Sequence, residues 1–255
     1  MKRIRIIPVL LIKKDGLVKS VQFKNHKYVG DPINAVRIFN EKEVDEIVLL
    51  DISATAEKRP PNIPRIKEIA SEAFMPLAYG GGITTIDEIK ALITAGVEKV
   101  VLNSIVVSNP SLITEGANWI GSQSIVVSID VKKNWLGKYK VYTNNGTKNT
   151  DLDPVDFAKQ VAAAGAGEIF LNSIDKDGTF EGYDVALIKK VSEAVSIPVV
   201  AIGGAGSLQD FTSAIRHGAS AAAAGSLFVF QRPHRAVLIS YPLQQELRTN
   251  VYERV

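Results

Sequence analysis

The chain has 255 residues, 46% of them hydrophobic, and 30 basic against 27 acidic side chains give a net charge of +3. That length suits one α/β barrel over residues 1–255. The mixed charge argues against nucleic acid as a partner, and no apolar run reaches the roughly 18 residues that a membrane span needs. Cysteine is absent and His26, His217 and His234 are scattered, so neither a disulfide nor a metal site is expected, and no cofactor. The opening MKRIRIIPVLLIKKDG has too short an apolar core for a secretion signal, so a cytoplasmic location is expected.

In chain order, short β-branched runs alternate with amphipathic stretches, the pattern of βα units around a parallel sheet. Strands are predicted near 3–12, 46–51, 75–79, 99–103, 124–130, 168–173, 198–202 and 220–225. Helices fill most of the gaps, with starts marked by Asp31-Pro32, Thr85 through Glu88, Asn109-Pro110, Asp153-Pro154 and Ser207. Runs such as Ile47-Val48-Leu49-Leu50 are apolar on both faces, as in a barrel wall. The fold expected is a single (βα)8 barrel. Residues 13–30 and 131–150 form its two longest loops, and alternating Tyr139, Val141 and Thr143 after Gly137 predict a small hairpin in the second.

The chain is also duplicated. Residues 46–105 recur at a spacing of 122 as 168–227, pairing Glu46 with Glu168, Gly81-Gly82 with Gly203-Gly204, Gly96 with Gly218 and Ser104 with Ser226. A spacing of 119 lays Arg5–Lys13 over Ser124–Lys132, and there Asp130 faces Leu11. Gly80-Gly81-Gly82 and Gly203-Gly204-Ala205-Gly206 each lie between a strand and a helix, where free N–H groups can approach an anion at a helix N-terminus. Asn103-Ser104 and Gly225-Ser226 end the next strands, so each half offers one anion cup and the pair suits a ligand with phosphates at both ends. Glycines that merely make tight turns are the bland alternative, weakened because both halves carry the same residues at the same separation.

Five segments, LDISATAEKR (50–59), YGGGITT (79–85), NPSLITEGANWIGSQSIVVSID (109–130), GAGEIFLNSIDKDGTFEGYD (165–184) and IGGAG (202–206), together resemble HisF, the synthase subunit of imidazole glycerol phosphate synthase. The resemblance implies a barrel that receives ammonia from a glutaminase partner, HisH, and uses it on the bisphosphorylated substrate PRFAR. The products are imidazole glycerol phosphate and an aminoimidazole carboxamide ribotide. It further implies one phosphate site at Gly82, Asn103 and Ser104, and another at Asp177, Gly178, Gly204, Gly225 and Ser226. Asp130 takes the place of one of two catalytic aspartates, Lys19 of a substrate-binding loop lysine and Asp51 of an active-site carboxylate. Arg5, Glu46, Lys99 and Glu168 match a charged ring, the ammonia gate, at the barrel floor. Read from the residues alone, two acids and two bases at strand starts can also neutralise one another as a plug.

The departure is Leu11, which stands where the family has the other catalytic aspartate. Losing a general acid or base typically costs about 10²- to 10⁴-fold in rate, and Lys13, Lys14 and Asp15 lie farther along the loop. Asn172 and Ile202 also replace the usual Thr and Ser. The opening IPVLLIKKDGLVKS and GDPINAVRIFNEKEVDEIVLLDI look more like HisF-like paralogues found with bacterial surface-polysaccharide genes. That likeness implies a barrel that passes ammonia from a HisH-like glutaminase to a separate sugar-amidating enzyme. The alternatives are a working cyclase of histidine biosynthesis and a non-catalytic phosphate-binding activator of the glutaminase.

Overall fold

A computed structural model describes residues 4–231 and 233–255. Eight parallel strands close into a barrel: Arg5–Lys13, Ile47–Asp51, Leu77–Gly80, Lys99–Leu102, Ile125–Lys133, Glu168–Ser173, Val199–Ile202 and Ala221–Ala224. Each pairs with the next, and the last returns to the first through Arg5 beside Ala221 and Pro8 beside Ala224. The expected (βα)8 barrel is what forms. Helices begin where the sequence signals place them. Asp31 and Asp153 cap helices that open with Pro32 and Pro154, and capping boxes join Thr85 to Glu88 and Ser207 to Asp210.

The period of two sorts the strand residues between lumen and outer layer. Along the first strand Ile7 and Val9 join the lumen cluster, with Leu11 packed against it, while Ile6, Leu10 and Ile12 join the layer under the helices. Val48, Val101, Val126, Phe170 and Val200 fill the lumen likewise, and each such buried side chain contributes on the order of 1.5–3 kcal/mol. The same alternation turns Arg5, Glu46, Lys99 and Glu168 inward at one end of the barrel. At the other end it turns in Leu11, Asn103, Asp130 and Asn172.

The segment 13–30, read as a loop, is a second hairpin. Gly16–Val21 pairs antiparallel with the first strand, Leu11 beside Val18, and then with Lys24–Gly30. No apolar run marks this strand in the sequence, because Lys24–Tyr28 is exposed and its pairing is supplied by the neighbouring strand edge. The fifth strand's hairpin forms as expected, Tyr139–Thr143 pairing with Ile125–Lys133. Two short helices, Ile105–Ser108 and Ser226–Val229, follow the fourth and eighth strands and have no counterpart in the predicted pattern.

Candidate functional site

The floor of the barrel is a closed circuit of charge. Arg5 donates from one guanidinium nitrogen to Glu46 and from the other to Glu168. Lys99 Nζ lies 2.9 Å from Glu46 and 3.0 Å from Glu168, so each acid meets both bases. Glu46 is only 2% exposed, and an ion so buried is tolerated only when paired. Burial works against the Arg5 charge, yet Glu168 and Glu46 more than offset it and raise its pKa. Arg37 and Glu72 form an ordinary surface pair elsewhere, outside this circuit.

At the mouth the chemistry is asymmetric. Asp130 is buried and accepts from Asn103 Nδ2 at 3.1 Å and Asn172 Nδ2 at 3.3 Å. Burial pushes its carboxyl pKa up to about 7; the two amide bonds pull against that and the nearby Asp177 charge adds to it. Asn172 Oδ1 is buried without a partner among the described residues. Which way an amide points is an assignment, and the rotated amide would accept a proton from neutral Asp130 and satisfy that oxygen. Opposite this cluster, Leu11 lines the same cavity beside Val9, Leu50 and Ile202, so the first-strand side is an apolar wall. The hairpin does fold over the mouth, but Asp15 stays exposed and outside the lining.

The first hairpin buries Lys19, 5% exposed, over the mouth. Its ammonium donates to Val9 O and abuts Gly225, where a Cβ would come within 2.1 Å of Nζ. Burial lowers the Lys19 pKa to about 8, and Asp177 partly offsets this. Asp51 lines the cavity with its charge already answered by Arg59 at 2.8 Å and by the Ser53 and Ala54 amides at 3.0 and 3.1 Å. Asp177, expected at a phosphate, uses its carboxylate as a latch: Ser20 Oγ donates to it at 2.8 Å and Phe23 N at 3.4 Å. Burial raises the Asp177 pKa, against the pull of Ser20 and Lys19.

The anion cups need one correction. At each glycine turn the two amides just ahead of the helix are already taken by a carboxylate of the same chain. Glu88 accepts from Thr84 and Thr85 amides at 2.6 and 3.0 Å, and Asp210 from Gly206 and Ser207 at 2.8 Å. What remains for an anion is the turn itself with the strand end beside it. Gly82, Asn103 and Ser104 line one concavity; Asp177, Gly178, Gly204, Gly225 and Ser226 line the other, which also contains Lys19, Asp51 and Asp130. The two share Thr55, Gly81, Val101, Asn103 and Ser104, so they form one continuous mouth. Gly204 has φ +116, and a Cβ there would lie 2.2 Å from Gly182 O, so only glycine allows this close turn.

A family model described as histidine biosynthesis protein matches residues 5–233. A Pseudomonas aeruginosa protein provisionally named imidazole glycerol phosphate synthase subunit hisF2 is 52% identical over 243 residues, covering 95% of this chain and 97% of its own. One from Leptospira interrogans, provisionally named as the HisF subunit, is 48% identical over 250 residues and covers 97% and 98%. The chain belongs to the HisF family. The HisF subunit of a Hydrogenobaculum species is 46% identical over 248 residues, with 97% and 98% covered.

Within that family frame, all sixteen positions singled out from sequence, Leu11 included, fall at one of the two barrel ends. Several neighbours were not singled out. Arg59 neutralises Asp51, Ser20 latches Asp177, and Phe23, His26 and Asn145 line the mouth. Asn145 donates to Ile52 O, and Asn144 N donates to Ser104 Oγ at 3.0 Å, which brings the fifth hairpin onto the first cup. The Asn144-Asn145-Gly146 run was the available signal, since all three residues adopt positive φ in a tight turn. Among the described residues no group of His, Asp and Glu is arranged to hold a metal ion, and no helix is long and apolar enough to cross a membrane.

Proposed function

We propose that this chain, acting over residues 1–255 as one phosphate-binding barrel, is the HisF-like subunit of a glutamine-dependent amidotransferase. A HisH-like glutaminase supplies ammonia at the floor, the lumen conducts it, and a separate enzyme takes it at the mouth to amidate a sugar for surface-polysaccharide biosynthesis. The observation that carries this reading is Leu11 in the mouth opposite Asp130. One proton-transfer position of the family is an alkyl group here, while the floor circuit of Arg5, Glu46, Lys99 and Glu168 is complete.

The chemistry of the path supports it. Between floor and mouth the lumen is lined by Ile7, Val48, Val101, Val126 and Phe170. Neutral ammonia loses far less on entering such a wall than an unpaired ammonium ion does. The ring acts as the gate, and the two cups, Gly82 with Asn103 and Ser104 and Gly178 with Gly204, Gly225 and Ser226, hold a phosphorylated ligand. The numbered names hisF2 and hisF3 of the Pseudomonas aeruginosa and Vibrio vulnificus relatives are in keeping with copies beyond a first HisF.

A working cyclase is the second reading, favoured by one observation. Asp130 sits near neutrality, where a single carboxyl can both donate and accept a proton. A coupled assay separates the two. With a HisH-like glutaminase, glutamine hydrolysis should rise on complex formation while PRFAR yields no imidazole glycerol phosphate. Failure to co-purify with the glutaminase or to stimulate it would contradict the proposal.

A further inference from the structure

Behind the second cup stands a residue that does not itself line it. Arg235, in the segment after the eighth strand, donates from Nη1 to Gly178 O at 3.3 Å. Its guanidinium carbon lies 5.2 Å from the Phe180 ring centroid and 5.0 Å from that of Phe230, so the cation is flanked by two aromatic rings. Its own carbonyl accepts from Lys27 Nζ at 3.0 Å, and that ammonium lies 5.4 Å from the Phe230 centroid, which ties the first hairpin into the same stack. Arg235 and Phe180 both hold left-handed φ, +51 and +63, a conformation that such residues keep only where their surroundings fix it.

The consequence falls on Gly178. The carbonyl before it, Asp177 O, accepts from Gln22 N at 2.9 Å, and its own carbonyl is held by Arg235. The Gly178 N–H shares a planar peptide with Asp177 O and is aimed by the Gln22 bond, while Arg235 holds the following peptide and so limits rotation at the Gly178 Cα between them. That N–H meets no acceptor among the described residues, and Gly178 lines the mouth. Arg235 itself does not line the mouth; it stands behind the loop. Its charge also reaches Asp177, the acid that would otherwise repel an anion in this cup.

On the reading that the two cups take phosphate, we propose that Arg235 is a positioning residue of the second cup. From behind the loop it holds the Gly178 carbonyl, so that the turn keeps the shape in which the Gly178 amide faces the cup, and it counterbalances Asp177 against a tetrahedral oxyanion. Simple stapling of the eighth loop is the competing role, and it predicts no difference between the cups.

The test follows inorganic phosphate by amide NMR of the full chain, reading Gly178 and Gly204 for the second cup against Gly82 and Ser104 for the first. Arg235→Ala should weaken phosphate at the second cup by about tenfold and leave the first unchanged, and Arg235→Lys should recover part of the loss. Equal phosphate affinity at Gly178 in wild type and Arg235→Ala would overturn the proposal while leaving the cup reading intact. No response at Gly178 and Gly204 in wild type would remove the cup reading and the proposal with it. Should Arg235→Ala lose both cups together, its fold has been lost. Phe180→Leu, which removes one face of the stack and keeps the charge, then decides by the same comparison between cups.

Discussion

The two ends of this barrel treat buried charge in opposite ways. At the floor every ion is answered: Glu46 and Glu168 each meet Arg5 and Lys99. At the mouth Asp130 is buried with two amides and, among the described residues, no ion-paired cation, facing an apolar wall that begins at Leu11. The floor is built to keep its charges fixed. The mouth leaves one buried carboxyl free to change state, with the alkyl group of Leu11 on the opposite wall. A duplicated scaffold can thus keep a fully paired layer of charge at one end and a lone buried carboxyl at the other.

The contrast can be broken most forcefully at the floor. Glu46→Leu would leave Arg5 and Lys99 sharing one acid, and denaturant unfolding should show a loss of about 3–5 kcal/mol. A change under 1 kcal/mol would mean that the ring is well hydrated and not the closed circuit described.

Asp130 sharpens the other side through pH. Its folded pKa, about 7, lies above the unfolded value of roughly 3.9, so the folded state holds the proton more tightly. Its contribution is therefore fully favourable below about pH 4, is lost as pH rises towards 7, and stays lost above. Asp130→Asn removes that slope, so relative to wild type it should gain up to roughly 4 kcal/mol between pH 4 and pH 8. Parallel stability curves for the two proteins over that range would show that Asp130 is not buried as described.

The smallest effect belongs to the latch between the first hairpin and the loop after the sixth strand. Ser20→Ala removes one hydrogen bond to Asp177 and should cost about 0.5–1.5 kcal/mol in holding the hairpin down, seen as faster amide exchange in residues 16–30. Unchanged exchange would place the closing force elsewhere, in Phe23 and Gly146.

Much of this was legible in the chain. The eight apolar runs gave the strands, and the repeat spacing put Leu11 opposite Asp130 before any contact was known, because a strand's period of two carries one inward residue to the same layer in both halves. Caps at Asp31, Thr85, Asp153 and Ser207 were equally local signals. What stayed hidden was whatever depends on a distant partner. Lys24–Gly30 becomes a strand only because Gly16–Val21 offers it an edge. Lys19 is buried only once that hairpin has folded over the mouth, and the state of Asp130 depends on Asn103 and Asn172 arriving from two neighbouring strands. The carboxylates on the amides just ahead of these two helices are legible too, since Thr85-x-x-Glu88 and Ser207-x-x-Asp210 announce capping boxes.

On the proposed reading, Leu11 disarms a mouth that is otherwise intact. Turnover of PRFAR with ammonium salt supplied directly, by wild type and Leu11→Asp side by side, tests it without any partner protein. The account predicts little or no imidazole glycerol phosphate from wild type and a gain of about 10²-fold or more in the variant. Equal rates, with wild type turning over readily, would contradict it and make this chain a working cyclase whose second proton-transfer group lies elsewhere in the mouth.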